Sequence, residues 1–457
     1  MTTTHGFGTA RLRSGRELED LDGRHLIHPH QSGAQSDRFV MVSGEGSLVR
    51  DANGVEYLDA SGGGNWLAQV GHGRPELAAA LTEQAGRLAY FSCFFNFSND
   101  KAVLLAERLA GLAPAGLDRV FFTCGGSEGV ESAIKLARLY HHHRGEPDRT
   151  WIISRDLAYH GATYGSGTAT GFPLMHRGIG PSLPHVARVS PPYPYRAAQM
   201  YGDADPTGFL LRELEETIQR IGPGRVAAMI GEPVMGGGGV LVPPPDYWPR
   251  VRDLLTSHGI LLIADEVVTA FGRTGAWFDS PGRGMDPDII VTAKGLTSGY
   301  APLGAVLMRA DIAAAVAGDG AYFFHGHTYS GHPLSCAAAL ANLDVLEGED
   351  LVERARTIGG WLREDLASAD GLERVGDVRI EGATAGVELV ADRATRTPVM
   401  AGAVTAALRD RHQVIVRDYG PTIVLSPPLV IGREQVRRTV RALLDVVSRL
   451  DENGAVG

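Results

Sequence analysis

Seven short apolar runs, separated by helix-length amphipathic segments, constrain this chain more than any other feature. The runs are 120–123, 151–154, 186–189, 226–230, 261–264, 289–292 and 305–308. Several are apolar at consecutive positions, the pattern of strands covered by helices on both faces. Helices are predicted near 101–112, 127–143, 208–220 and 246–258. This alternation predicts a mainly parallel, seven-stranded sheet in a large α/β domain.

From about residue 331 the pattern changes. A long Ala/Leu-rich helix is expected from Cys336 to about Ala367, then short strands near 385–390, 413–417 and 422–426. A last amphipathic helix is expected over about 433–449, so this part reads as a smaller α+β domain. The strand-like pieces 46–50 and 55–59, split by the turn Asp51-Ala-Asn-Gly54, are expected to join it. The division that follows is 1–70 as an N-terminal segment contributing to the small domain, 71–330 as the large domain and 331–457 as the C-terminal small domain. The Pro-rich stretch 181–206 reads as an irregular surface loop.

Charge and cysteine usage narrow the function. A net charge of −10 without a basic block argues against a nucleic-acid or membrane-surface partner. Cys93, Cys124 and Cys336 are far apart and odd in number, which disfavours a disulfide framework and fits a reducing compartment. Residues 1–30 carry no apolar core of signal-peptide length, and no run approaches the roughly 20 residues of a membrane span. The expected location is cytoplasmic.

Lysine occurs only three times, against forty arginines. Lys135 lies four residues after Glu131, as in a helical ion pair, and Lys101 follows Asp100 at a predicted helix start. Lys294 instead ends the apolar run Asp288-Ile-Ile-Val-Thr-Ala-Lys294. Burial lowers an amine's pKa, and a neutral lysine, unlike an arginine, can form an imine.

Two other strand ends carry chemistry, and ligands of open α/β sheets collect at such ends. Val120-Phe-Phe-Thr-Cys-Gly-Gly-Ser127 runs into a helix, where free N–H groups favour a phosphate. Its bland alternative is a tight turn in which Ser127 caps the helix. Leu261-Leu-Ile-Ala-Asp265 puts a carboxylate after an apolar run, where it needs a partner. A protonated pyridine nitrogen would serve, as would a metal, or Asp265 could cap the next helix; Glu266 reads as a local structural partner. Phosphate cup, buried aspartate and lone lysine together are what pyridoxal 5′-phosphate requires.

The chain resembles the class III pyridoxal-phosphate-dependent aminotransferases of the ω-amino acid or ω-amine:pyruvate type, over about residues 38–450. The resemblance rests on Leu261-Leu-Ile-Ala-Asp-Glu-Val-Val-Thr-Ala-Phe-Gly-Arg-Thr-Gly275, Asp286-Pro-Asp-Ile-Ile-Val-Thr-Ala-Lys-Gly-Leu-Thr-Ser-Gly-Tyr300, Tyr159-His160-Gly, Gly231-Glu-Pro-Val and His327-Thr-Tyr-Ser-Gly-His-Pro333. It implies PLP fold type I, the aspartate aminotransferase-like architecture, and a homodimer with active sites at the subunit interface. It implies catalytic roles for Lys294, Asp265 and Tyr159, with Lys294 as the Schiff-base lysine and proton carrier and Asp265 on the pyridine nitrogen. The other cofactor-binding residues it implies are Gly125, Gly126 and Ser127 at the phosphate, His160 beside Tyr159, Val267 opposite Tyr159 on the ring, and Thr328 reaching the neighbouring subunit's cofactor. The family usually has Ser-Gly-Ser where this chain has Gly125-Gly126-Ser127, so one hydroxyl is missing.

On the substrate side the resemblance implies Arg417 as the mobile grip on a carboxylate, with Glu232 pairing it when no carboxylate is bound. An ion pair between Arg417 and Asp418 is the alternative. Trp66 is expected to wall the pocket, with Phe94 or Phe95 near it. No metal is expected at His141-His-His143 or at His325, His327 and His332, which belong to the expected dimer-interface loop. The implied activity moves an amino group from an ω-amino acid or primary amine to a keto acid such as pyruvate. Aminomutase or decarboxylase chemistry shares the Lys–Asp–phosphate set and stays open. A dinucleotide-binding dehydrogenase is disfavoured, because Val70-Gly-His-Gly lacks the third glycine and the acidic residue of that fingerprint. A cofactor-binding regulator is disfavoured by the lack of a fused DNA-binding domain.

Overall fold

The computed structural model describes residues 13–30, 38–202, 205–318 and 320–457. All seven predicted strands enter one seven-stranded sheet. Its order is Arg119–Thr123, Gly304–Met308, Ile289–Thr292, Leu261–Asp265, Val226–Gly231, Trp151–Arg155 and Val186–Val189. Neighbours from Ile289–Thr292 through Val186–Val189 pair parallel, and only Gly304–Met308 runs against the rest.

The four central strands are buried along their whole length. Ile263, Ile289 and Val291 face a cluster with Val130, Ala133 and Ala137 of helix Gly126–His143. Leu262, Ala264 and Ile290 face the opposite cluster, with Trp248 and Val251 of helix Tyr247–Ser257. Side-chain alternation with period two thus feeds two helical layers, and each buried Val, Leu or Ile side chain contributes about 1.5–3 kcal/mol.

The chain ends share smaller sheets. Val414–Ile415 pairs parallel with Glu56–Asp59, beside Leu48–Asp51 and Met41–Glu45. A separate sheet holds Val375–Glu381, Thr384–Asp392, Thr422–Leu425 and Arg417–Tyr419.

Three local expectations are corrected. The long helix is two, Pro333–Gly348 and Leu351–Leu366, divided where Asp350 takes a left-handed backbone (φ 50°). The Glu131–Lys135 ion pair does not form. Glu131 accepts from Thr163 Oγ1 and the N–H groups of Gly165 and Ser166, while Lys135 Nζ lies 3.4 Å from His325 Nδ1. The Pro-rich stretch, whose residues 203 and 204 lie outside the described ones, is not all surface: Val189 and Tyr193 are buried. The three cysteines are free. No helix of the described residues is long and apolar enough to cross a membrane.

Candidate active site

In a parallel sheet the carboxyl ends of all parallel strands open on one edge, and five of them supply this site. The first strand ends at Thr123, and the chain turns through Gly125 into helix Gly126–His143. Gly125 is the extended N-cap and no side chain caps the helix. Ser127 therefore lies inside the first turn and is not the cap expected from the sequence. Its Oγ accepts a bond from Ala162 N at 3.1 Å, tying the turn to the loop after Tyr159. The uncapped turn presents backbone N–H groups and the positive helix end. A Cβ on Gly126 would stand 3.0 Å from both Val267 methyl groups, so a side chain there would have to push Val267 aside.

Asp265 ends the central strand at 4% exposure. Its Oδ1 accepts from Val267 N at 3.1 Å, and its Oδ2 lies 2.8 Å from His160 Nδ1. Residues 266–275 form turns, so Asp265 caps no helix. Glu266 is the local structural partner expected. Fully buried, it accepts from Thr269 Oγ1, Asp279 N, Ser280 N and Ser280 Oγ at 2.6–2.8 Å.

Lys294 follows the adjacent strand in a left-handed backbone conformation (φ 43°). Such a conformation costs a bulky residue about 1–3 kcal/mol, a strain typical of functional positions. Its Nζ stands 5.1 Å from the centre of the Trp66 ring. Burial lowers the lysine pKa to about 8; the negative charges of Asp265 and Glu232 oppose the shift and the Arg417 cation adds to it. Both acids and Arg417 thus lie close enough to act on the charge of the Lys294 amine.

Trp66 is 3% exposed and stacks on Tyr419 at 5.1 Å and 26°. The Arg417 guanidinium lies 5.7 Å from the Tyr419 ring. Among the described residues Arg417 forms no ion pair: Asp418 accepts from Thr405 Oγ1 instead. Glu232 does not pair with Arg417 either, contrary to expectation. Its Oε1 accepts from Tyr159 N at 3.3 Å, and its Oε2 faces Arg155 at 3.6 Å. Tyr159 is half-buried, and burial raises its phenol pKa.

Two expected residues stand apart within this chain. Phe95 is 91% exposed and packs against Phe94 rather than Trp66. Thr328 is exposed, and its carbonyl accepts from Tyr90 Oη at 2.8 Å. His141 bonds Ala227 O at 3.0 Å, and His325 bonds Ser132 at 2.7 Å. Among the described residues no group of His, Cys, Asp and Glu could hold a metal ion. Arg155 and Tyr419 join the site without having been expected there. A lone arginine closing the run Trp151-Ile-Ile-Ser carries the same signal that singles out Asp265; Tyr419 has none.

Pyridoxal 5′-phosphate fits the donor set. The uncapped turn at Gly125–Ser127 suits its phosphate, Asp265 a protonated ring nitrogen, and Lys294 its aldehyde. The bare Gly126 against Val267 leaves a cradle that a larger residue would fill.

Comparison with known proteins is consistent with this geometry. The family model Aminotransferase class-III matches residues 31–447. A putrescine–pyruvate aminotransferase of Pseudomonas aeruginosa is 36% identical, covering 92% of this chain and 93% of that protein. The structure of a thermostable (S)-enantioselective omega-transaminase from Thermomicrobium roseum superposes with a TM-score of 0.91 at 42% identity, covering 94% of this chain and 97% of that one. An amine transaminase from an uncultivated Pseudomonas species, in its PLP-bound form, gives 0.87 at 40% identity, covering 92% and 97%.

Proposed function

The chain belongs to the class III aminotransferases, pyridoxal-phosphate-dependent enzymes of fold type I that pass an amino group to a keto acid, and from that premise we propose its substrates and the roles of its residues. The donor is a primary amine or ω-amino acid and the acceptor is pyruvate. The observation that carries this reading is the Lys294 amine 5.1 Å from the Trp66 ring, which stacks on Tyr419, beside Arg417, a cation with no ion pair among the described residues.

When bound, the cofactor supplies a conjugated pyridinium ring that draws electrons from the amine-bearing carbon. Asp265 keeps the ring nitrogen protonated, and His160 Nδ1 orients that carboxylate. Gly125, Gly126 and Ser127 would hold the phosphate, and Tyr159 and Val267 would contact the ring. Lys294 Nζ would anchor the cofactor and would be the base that takes the proton from the amine-bearing carbon. Its depressed pKa suits that base role at neutral to mildly alkaline pH. Trp66 excludes water from one wall. Arg417 offers a planar fork to the acceptor carboxylate.

The working unit is a homodimer in which Thr328 reaches the partner's cofactor. Support comes from the exposure of Phe95, Phe97, Tyr322, Phe324 and Tyr329 on segments that touch through Tyr90 and Tyr329, since clustered exposed aromatic residues mark interaction surfaces. Residues 71–330 form the cofactor-binding domain, with 1–70 and 331–457 in the smaller one, and the enzyme works in the cytoplasm. A panel of amines, ω-amino acids and diamines against pyruvate and 2-oxoglutarate tests the substrates. The visible absorption should bleach with a good donor and return with pyruvate. A permanent bleach that no keto acid reverses, or release of carbon dioxide, would show a different reaction. Lys294→Ala should abolish turnover and keep the fold.

A further inference from the structure

Arg155 closes the strand Trp151–Arg155 and is wholly buried. Its guanidinium lies 4.9 Å from the Trp248 ring, and its Nη2 donates to Glu232 O at 2.8 Å. Nη2 also stands 3.6 Å from Glu232 Oε2. The space is tight: a Cβ on Gly231 would meet Trp248 at 2.6 Å and Arg155 at 3.0 Å. Trp248 is itself pinned by an N–H bond to Pro233 O at 3.1 Å. Among the described residues Arg155 Nε and Nη1 have no hydrogen-bond partner, so Glu232 is the counter-charge that its burial is matched to. Glu232, 5% exposed, accepts from Tyr159 N through Oε1, while its Oε2, facing Arg155, has no hydrogen bond among the described residues.

Without Arg155 the buried Glu232 carboxylate would lose its ion-pair partner. Arg417, which lies against Tyr419, forms no ion pair among the described residues and acts on the same Lys294 amine as Glu232, would then compete for it. We propose that Arg155 is a positioning residue for acceptor binding: it donates to the Glu232 carbonyl and pairs ionically with its carboxylate, and so leaves the Arg417 fork open. No resting ion pair has to break before a keto acid enters. This rests on the reading of Arg417 as the grip on the carboxylate.

The test compares pyruvate KM and the KM of a carboxylate-free amine, such as 1-phenylethylamine, at about pH 9, above the value of about 7 to which burial raises the Glu232 carboxyl. Arg155→Met is expected to raise the pyruvate KM about tenfold, as if Arg417 were available only a tenth of the time. The amine KM should stay within about threefold. In Arg155→Met/Glu232→Gln the pyruvate KM should return toward that of Glu232→Gln, because a neutral amide cannot hold Arg417; a purely structural defect would not be rescued. An unchanged pyruvate KM in Arg155→Met, or no rescue in the double variant, overturns the inference. Glu232→Gln alone keeps it testable should Arg155→Met not fold. If Glu232 were the resting partner of Arg417, this substitution would lower the pyruvate KM about tenfold; no such fall is expected. Arg417→Met separates the premise from the inference. A normal pyruvate KM there removes Arg417 as the grip, whereas a raised one beside a normal Arg155→Met removes only the role of Arg155.

Discussion

Lys294 gives the sharpest quantitative test, because its pKa of about 8 changes how much reactive amine the apoenzyme holds. At pH 7 a pKa of 8 leaves about 9% of the amine neutral, against about 0.04% for an ordinary lysine, a ratio of about two hundred. The chain carries its own reference, since the only other lysines are Lys101 and the exposed Lys135. Apoenzyme would be treated with trace acetic anhydride across a pH series, and the Lys294 peptide measured by mass spectrometry relative to that of Lys135. Acetylation of Lys294 should reach half its plateau near pH 8. The same burial has a stability consequence of definite sign. Between pH 8 and about 10.4 the unfolded chain binds more protons at this site than the folded one, so apoenzyme stability rises with pH through that window. Lys294→Met removes the dependence. At pH 7 it should stabilise the apoenzyme, by at most about 3 kcal/mol because the amine is partly open to the cleft. The gap should close above pH 10.4. Acetylation that climbs through pH 10 without a plateau, or a Met variant no more stable at pH 7, refutes the burial argument.

Three further outcomes follow from the geometry. Gly126→Ala forces Val267 aside at a cost of about 1–3 kcal/mol, so the cofactor Kd, followed by tryptophan fluorescence, should rise about tenfold or more; a change under twofold contradicts the cradle. His160→Ala leaves Asp265 Oδ2 without its buried partner, and should lower kcat about tenfold to a hundredfold while pyruvate KM moves little. Equal losses in both constants would point to general disruption instead. Phe95→Asp places a charge on the exposed aromatic surface. Sedimentation should show dissociation to monomer with loss of activity, and an active dimer would exclude that surface as the interface.

Much of this protein can be read along the chain. The seven strands are legible because fully buried parallel strands are written as consecutive apolar residues. Lys294 and Asp265 are legible because a charge closing such a run has few structural reasons to be there. Less can be read where a partner does the stabilising. Strand Val375–Glu381 alternates glycine and charged residues with apolar ones, and it holds through its pairing with Thr384–Asp392. Helix Ala310–Ala317 is nearly uniform in hydrophobicity and shows no period, and the break at Asp350 lies inside an otherwise continuous helical pattern.

Periodicity and the chemistry of single residues therefore determined the sheet, its helical layers and the identity of the reactive amine. Tertiary structure decided who meets whom. Arg155 and Glu232 are far apart in the chain and meet only because strands Trp151–Arg155 and Val226–Gly231 are neighbours in the sheet. Trp66 and Tyr419 come from opposite ends of the chain and stack because Val414–Ile415 pairs with Glu56–Asp59. Local sequence encodes which face of an element is apolar. The partner of a buried charge is set by crossover connections and close packing, which act between segments that no local pattern links.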